Sequence, residues 1–593
     1  MQLINNSIKL KNAFLLVSLV LGGYVSMAQL QSPDQFLGYK LGSRFTAHAQ
    51  VVNYFEHVAK FAPQKVKLQY YGATNEHKPL LLAFVSSAEN IENLQNIRKN
   101  NVQLAAAGAA SIEKPTPIVW LSYNVHGNEA SSSEASMLTL YELVNPQNSQ
   151  TKLWLGNTAV VIDPCLNPDG RDRYVNWFNS VVGIKYNPDV IAREHNEPWP
   201  GGRTNHYNFD LNRDWAWQTQ LESRQRVKEY LKWMTQVHVD FHEQGINDNY
   251  YFAPAAQPYH EAITQWQRDF QVQIGKNHAR YFDKNGWLYF TKEVFDLLYP
   301  SYGDTYPIYN GSIGMTYEQA GGPEGGLGVL TSDGDTLTLY DRLIHHYTTS
   351  LSTIEIASQN AAKLITEFKN YFANASNGNV GLYKTYIIKN QAADGQKVKA
   401  LLALLDKNNI LYGTGSGTGK GFNYETRKEE VFTIAPGDIV ISAAQPRAVM
   451  VKALFEPNTK LTDSVTYDIT AWAMPYAYGL QAYATTLKMK VSGRYNEAFE
   501  KNNISSAFAC VIKWEGKYSA TVLAQLLSRG VKVRMSDAAF EAGNEKFGSG
   551  SIIVLQKGNE KFGNGFWSMV SQLCNKYTVT LYPIASGMVD KGY

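Results

Sequence analysis

The segment Asn124-Val125-His126-Gly127-Asn128-Glu129 sets an imidazole and a carboxylate three residues apart, directly behind a short apolar run. Imidazole nitrogen and carboxylate oxygen are both good zinc donors, at about 2.0–2.2 Å from the ion. Gly127 lets the chain bend tightly between them, so that His126 and Glu129 can turn toward one point. Such a pair is common by chance, because a catalytic zinc also needs a third protein ligand and an open position. The stretch Val237-His238-Val239-Asp240-Phe241-His242 offers that third ligand at the end of another apolar run. Strand alternation puts His238, Asp240 and His242 on one face. His242 is favoured as the ligand because it stands where the strand must open into a site. His238 then packs beside the sheet or supports the site from behind.

Three further segments carry reactive groups. Gly314 to Ala320 (GMTYEQA) sets Glu318 inside an apolar run, and burying a lone carboxylate is costly unless it is paired or functional. A glutamate beside a metal site is the usual general base for metal-assisted hydrolysis. Asp210 to Trp215 (DLNRDW) contains Arg213, whose planar fork suits a carboxylate, with the Asn212 amide beside it. Arg203 precedes that pair by nine residues at Asn212, in the glycine-flanked loop WPGGRTNHY. Asn167-Pro168-Asp169-Gly170 reads by itself as a turn.

Taken in order, HGNE, NPDG, DLNRDW, DFHEQG and MTYEQ resemble the M14 zinc carboxypeptidases, from roughly Phe45 to Phe372. The resemblance implies one Zn2+ held by His126, Glu129 and His242. It implies that Glu318 activates the attacking water and passes its proton to the leaving amine. Arg203 would polarise the scissile carbonyl and stabilise the oxyanion, and Asn212 with Arg213 would grip the terminal carboxylate of the substrate. The partner so implied is a peptide or protein with a free C-terminal carboxylate. Departures from the best-known members are visible: Arg203 lies closer to the Asn-Arg pair, and that pair reads NRDW in place of NRNF or NRNW. The substrate-capping tyrosine is not singled out among Tyr299, Tyr302, Tyr306 and Tyr309. Asp304 would favour basic C-terminal residues if it lines the specificity pocket. Two rival readings are a peptidase of peptidoglycan stem peptides and an inactive binding protein of the same fold. The presence of all three ligands together with Glu318 speaks against the second.

These groups need a sheet to hold them. Pro117 to Tyr123, Ala159 to Asp163 and Val237 to Phe241 are apolar runs bounded by turn signals, and read as buried strands. Ser132 to Val144 has helical spacing, and Ser352 to Phe372 reads as one long amphipathic helix. The expected fold is α/β: an αβα sandwich with a mixed central sheet over residues 29–373, then a second α/β domain over 380–593. Between them Asn374 to Asn379 (NASNGN) has linker composition. In the second domain, strands are expected at Tyr386–Ile388, Asp438–Ser442, Ala507–Ile512, Lys532–Arg534 and Ile552–Leu555. Helices fall between them, in a βαβ-like alternation. That domain resembles a glutamine-amidotransferase-like fold without its catalytic cysteine.

Length and composition agree with this reading. The chain has 593 residues, 44% hydrophobic and 18% charged, enough for more than one globular core. A net charge of +3 gives no electrostatic case for nucleic acid. Lys9 and Lys11, the apolar run Ala13 to Val20 and the small residues of Ser26-Met27-Ala28 form a signal peptide cleaved after Ala28, so a secreted or periplasmic protein is expected. The apolar run is shorter than the roughly 20 residues of a membrane-spanning helix. Three cysteines exclude a disulfide framework, and Cys165, Cys510 and Cys574 are expected to pack in cores. The run Gly413 to Gly421 (GTGSGTGKG) lacks the spacing of a phosphate loop and reads as a flexible loop. His345 and His346 are expected to be solvated, on a helix away from the motifs. The chain stops at Asp590-Lys591-Gly592-Tyr593 without a clear closing element, as a shortened chain would.

Overall fold

The computed structural model describes residues 29–106, 114–391, 394–461, 466–467, 472–495 and 499–592. The expected signal peptide lies outside the described residues. The chain divides into two compact units, Met1–Phe372 with Leu461–Asp468, and Ala373–Lys460 with Ile469–Tyr593. The return of a short later segment to the first unit was not expected from the sequence.

The first unit is built on an eight-stranded sheet. Its strands are β1 (Val66–Ala73), β2 (Pro79–Val85), β3 (Ile118–Tyr123), β4 (Ala159–Asp163), β5 (Val237–Gln244), β6 (Tyr250–Tyr251), β7 (Tyr289–Phe290) and β8 (Ile313–Ala320). They lie in the order β1-β2-β4-β3-β5-β8-β6-β7. The central strands β4, β3, β5 and β8 are parallel; β1 with β2, β2 with β4 and β6 with β8 pair antiparallel, and β6 with β7 pairs parallel. The sheet is therefore mixed, as expected. Every residue of β3 is buried, which explains its unbroken apolar reading: helices cover both faces of a parallel sheet.

Val119, Leu121, Tyr123, Val239, Phe241, Met315 and Tyr317 point to one face and join the main core. Helices His48–Phe61, Ser131–Val144, Gln265–Asn285 and Leu339–Gln359 supply much of the rest of that core. On the opposite face Trp120 and His238 meet Tyr230 of helix Leu221–Trp233, and Trp215 packs edge-on against Tyr230 and His238. The strand alternation that buries Val239 and Phe241 on one side thus delivers His238, Asp240 and His242 to the other.

The expected single helix from Ser352 to Phe372 is two, Leu339–Gln359 and Ala361–Ser376. Asn360 leaves the helical conformation at φ −115° between them. The second helix runs into the expected linker, which begins only after Ser376. NPDG is not a free turn but a helix start: Asn167 Oδ1 accepts from Gly170 N–H at 3.0 Å and Pro168 opens helix Pro168–Val181. His345 and His346 are not solvated either. His345 Nδ1 lies 2.6 Å from Gln319 Oε1, and the fully buried His346 has Nδ1 2.9 Å from Tyr250 OH.

The second unit holds two principal sheets. One orders Lys428–Ile434, Gly417–Asn423, Ala482–Thr485, Thr385–Ile388 and Ile439–Ser442; the other orders Val533–Met535, Ile552–Leu555, Ala509–Ile512 and Tyr582–Ile584. Every pairing in them is antiparallel, so the βαβ alternation read from the sequence does not hold. Helices such as Gly395–Lys407 and Phe566–Lys576 intervene without making parallel crossovers. The glycine-rich stretch after Gly413 is largely a strand, Gly417–Asn423, in a hairpin with Lys428–Ile434. Cys510 and Cys574 are buried in one core cluster, and Cys165 is buried in the first unit, as expected. Among the described residues no helix is long and apolar enough to cross a membrane.

Burial in the first unit has a pH consequence. It pushes His238 and His278 down to about 3 and His345 to about 4, from an ordinary value near 6.5. Below pH 6.5 the unfolded chain takes up protons that these rings refuse in the fold, so stability falls as the pH drops toward 3. Each ring contributes a slope on the order of 1 kcal/mol per pH unit. Urea unfolding at pH 7 and pH 5 should show this loss, and His278→Gln should make it shallower.

Candidate active site

The first two metal-donor groups are set by the loop that follows β3. Asn124, at φ 60°, folds its side chain back so that Nδ2 donates to the carbonyls of His126 at 2.7 Å and Glu129 at 3.0 Å. Buried Arg171 holds this arrangement from behind, donating to Asn124 Oδ1 at 3.2 Å and to Glu134 at 2.6 Å. Gly127 is required for close approach: a Cβ there would lie 2.1 Å from the backbone nitrogen of Arg171. Helix Ser131–Val144 begins immediately after, fixing Glu129 beside His126.

The third group comes from β5. His242 sits opposite Glu318 in the parallel pairing of β5 with β8, so both side chains reach the same end of the sheet. The strand does not open at His242, as the sequence suggested, but continues to Gln244. One ligand atom from each of His126, Glu129 and His242 can be chosen so that all lie within 4.8 Å of one another, and all three residues are buried. His126 Nδ1 is 2.7 Å from Glu129 Oε1, and His242 Nδ1 is 3.1 Å from Glu129 Oε2. The other ring nitrogens face carboxylates: His126 Nε2 is 3.1 Å from Asp210 Oδ1, and His242 Nε2 is 2.9 Å from Asp240 Oδ2. Both Nδ1 atoms are therefore the ones turned toward a common point. Two imidazoles and a carboxylate converging there fit a zinc ion with a further position open. His238 is not in this set, and its Nε2 lies against Ser122 Oγ at 2.9 Å.

These residues border a cleft of about 150 Å³, which Glu318, Arg203, Asn212 and Arg213 also line. The structure thus brings together every site residue expected from the sequence. Burial, opposed by the charges of His242 and Arg203, holds the Glu318 carboxyl up at about 8. Arg203, with its side chain 44% exposed, spans from Glu129 Oε1 (Nη1 at 3.3 Å) to Asp210 Oδ2 (Nη2 at 3.0 Å). Asn212 is tied down: Oδ1 accepts from Gly303 N–H at 2.8 Å, and Nδ2 lies 3.2 Å from His242 Nε2. Arg213 stacks its guanidinium 4.6 Å over the ring of Tyr302.

Of the four candidate tyrosines only Tyr302 lines the cleft, and its buried hydroxyl has no hydrogen-bond partner among the described residues. Tyr299 OH accepts from Trp217 Nε1 at 2.7 Å, Tyr309 OH donates to Leu298 O at 2.7 Å, and Tyr306 packs on Trp215 and Tyr230. Asp304 also lines the cleft, with Oδ2 accepting from Thr316 Oγ1 at 2.9 Å. Sequence reading missed Asp210, although it adjoins the Asn-Arg motif, and Tyr467, which no local pattern marks. Tyr467 forms part of the cleft wall, and its N–H donates to Asp296 Oδ2 at 2.7 Å.

Residues 51–279 match the family model for zinc carboxypeptidases. The matched stretch contains His126, Glu129, Arg203, Asn212, Arg213 and His242, and ends before Glu318. Among solved structures, the chain is similar to a metallo-carboxypeptidase from Burkholderia cenocepacia, at 12% identity and a TM-score of 0.39, over 53% of this chain and 70% of that one. It is also similar to carboxypeptidase A from Helicoverpa armigera, at 15% identity and a TM-score of 0.36, over 60% and 80% of the two chains. The matched stretch is a zinc carboxypeptidase domain, the kind of metallocarboxypeptidase hydrolase that uses one zinc ion, and the His126, Glu129 and His242 donor set fits that ion.

Metal removal tests the donor set. Dialysis against a chelator should yield protein that rebinds one zinc per chain, with a rise in melting temperature that grows with free zinc. His126→Ala and His242→Ala should each abolish that zinc-dependent rise, as read by thermal melting with and without the ion.

Proposed function

We propose that this metallocarboxypeptidase is an exopeptidase that removes the C-terminal residue of peptides or proteins. The observation that carries the reading is one buried cleft holding the three-donor set, Glu318 and two arginines. When bound by His126, Glu129 and His242, the zinc ion supplies the Lewis acidity that makes water nucleophilic near neutral pH and polarises the carbonyl. Glu318, which lines the same cleft as the donor set, takes the proton of the attacking water as a carboxylate and returns it to the departing amine. Arg203, already oriented by Asp210, donates to the carbonyl oxygen as negative charge builds there.

Arg213 pairs with the terminal carboxylate of the substrate, and the Tyr302 ring 4.6 Å from its guanidinium helps to hold it in place. Tyr302 is the capping tyrosine in this reading, because, of the four candidates, it is the one that lines the cleft. Asn212 lines the same cleft, but its amide oxygen is occupied by Gly303 N–H, so it reaches substrate through Nδ2 alone. Asp304 in the cleft lining supports a preference for basic C-terminal residues. The N-terminal pattern of Lys9, Lys11 and the apolar run supports export, with a mature chain starting at Gln29. The second unit is an accessory in this reading, and its two cysteines, Cys510 and Cys574, are buried.

The test is a peptide panel followed by mass spectrometry. Stepwise loss of C-terminal residues is expected, with C-terminal Lys or Arg removed fastest. Glu318→Gln should reduce kcat by roughly 100-fold or more while zinc content is retained. Arg213→Gln should cost about 10- to 100-fold in kcat/KM, the worth of a charged hydrogen bond. Equal cleavage of C-terminally amidated peptides would overturn the carboxylate grip. Cleavage of muropeptides and of no other peptide would assign the substrate to peptidoglycan stems. N-terminal sequencing of the exported protein checks the start at Gln29.

A further inference from the structure

Asp240 is a fully buried carboxylate two residues before a metal ligand, and no step above uses it. Neither of its oxygens meets a hydrogen-bond donor in good geometry among the described residues, yet His242 brings Nε2 to 2.9 Å from Oδ2. Isolated carboxylates are not buried without compensation. Arg226, itself buried, with its guanidinium 4.0 Å over Trp215, supplies part of that compensation through its charge. Gly303 crosses directly above: a Cβ there would fall 1.9 Å from Asp240 Oδ2, so a side chain at 303 would displace the carboxylate.

Two neighbours compete for His242 Nε2. A neutral imidazole has one N–H and one lone pair. Asn212 presents Nδ2 at 3.2 Å, and this group is the donor end of the amide, because Oδ1 accepts from Gly303 N–H at 2.8 Å. Asn212 therefore favours the tautomer with a lone pair on Nε2 and the proton on Nδ1, which blocks the nitrogen turned toward Glu129. Asp240 can only accept, and favours the opposite tautomer, with the proton on Nε2 and Nδ1 bare for the metal.

We propose that Asp240 is a positioning residue for zinc: by accepting the Nε2–H of His242 it selects, against Asn212, the tautomer that can ligate through Nδ1. This rests on the zinc reading of the His126–Glu129–His242 set. Asp163 is the natural control. It stands opposite Ser122 on β4 as Asp240 does on β5, it is equally buried, and its Oδ2 accepts from Tyr71 OH at 3.0 Å. A purely structural role would make the two carboxylates equivalent.

The experiment is zinc affinity by chelator competition on the full chain, with folding checked by near-ultraviolet circular dichroism. Asp240→Ala should weaken zinc binding 10- to 100-fold, and Asp240→Asn, which keeps an acceptor oxygen, should recover part of the loss. Asp163→Ala should leave zinc affinity within about twofold of wild type. Adding Asn212→Ala to Asp240→Ala should restore affinity, because the competing donor is gone. Histidine-selective 15N NMR of zinc-loaded wild-type protein supplies a reading that needs no variant: His242 should carry a slowly exchanging proton on Nε2. Wild-type affinity in Asp240→Ala, an equal loss in Asp163→Ala, or ligation through Nε2 would overturn the proposal. Failure of wild-type protein to bind zinc at all would instead sink the zinc reading, and this proposal with it.

Discussion

β5 and β8 run parallel with His242 beside Glu318, and β3, the other neighbour of β5, ends in the loop that carries His126 and Glu129. Three adjacent strands therefore discharge a donor set and a carboxylate at one edge of one sheet. Parallel strands need long crossover connections. The stretch between β4 and β5 is where Arg203, Asn212 and Arg213 are housed, beyond helix Pro168–Val181. The architecture that forces the connection to be long also gives it room for the arginines. Ligand sites at the carboxyl ends of sheet strands follow from the same geometry.

Concentrating charge at that edge is costly, and much of the surrounding sequence answers the cost. Glu129 is buried, yet its oxygens meet both histidines, Arg203 and the Glu243 N–H, so the carboxylate stays charged. Burial would raise Asp210, but His126, Arg203 and Arg213 hold it well below the ordinary carboxylate range. Behind the loop, Arg171 and Glu134 form a buried pair at 2.6 Å. Such a pair adds little net stability, but removing one partner would strand the other. Its service here is to hold Asn124, and through it the loop of His126 and Glu129.

Much of this was legible because the site is carried by short contiguous motifs at strand ends. HGNE encodes a turn, two donors and a helix start within a few residues, and DFHEQG and MTYEQ are strands whose alternation places the functional side chain. What was not legible depends on contacts far apart in the chain. Tyr302 is separated from Tyr299, Tyr306 and Tyr309 by environment, not by local pattern. Tyr467 reaches the cleft wall from a segment that follows a different unit in sequence. His345 and His346 looked solvated because a polar residue on a helix usually is; here Gln319 and Tyr250 receive them in the core. The second unit misled for another reason. Strands and helices alternating in sequence resemble βαβ units, but the direction of each strand is set by pairing partners that periodicity does not reveal.

The stacking of Arg213 on Tyr302 has a consequence for how substrate is met. A free arginine side chain samples many rotamers and surrenders that freedom on binding, at roughly 2 kcal/mol. Held over an aromatic ring and 3.7 Å from Asp210 Oδ2, this one has surrendered much of it before any peptide arrives. Encounter then asks mainly the peptide to become ordered, so association is governed by the flexibility of the incoming chain end. A lysine at 213 would bring the same charge without a plane to stack, and the entropy of its four-carbon stem would return to the binding step.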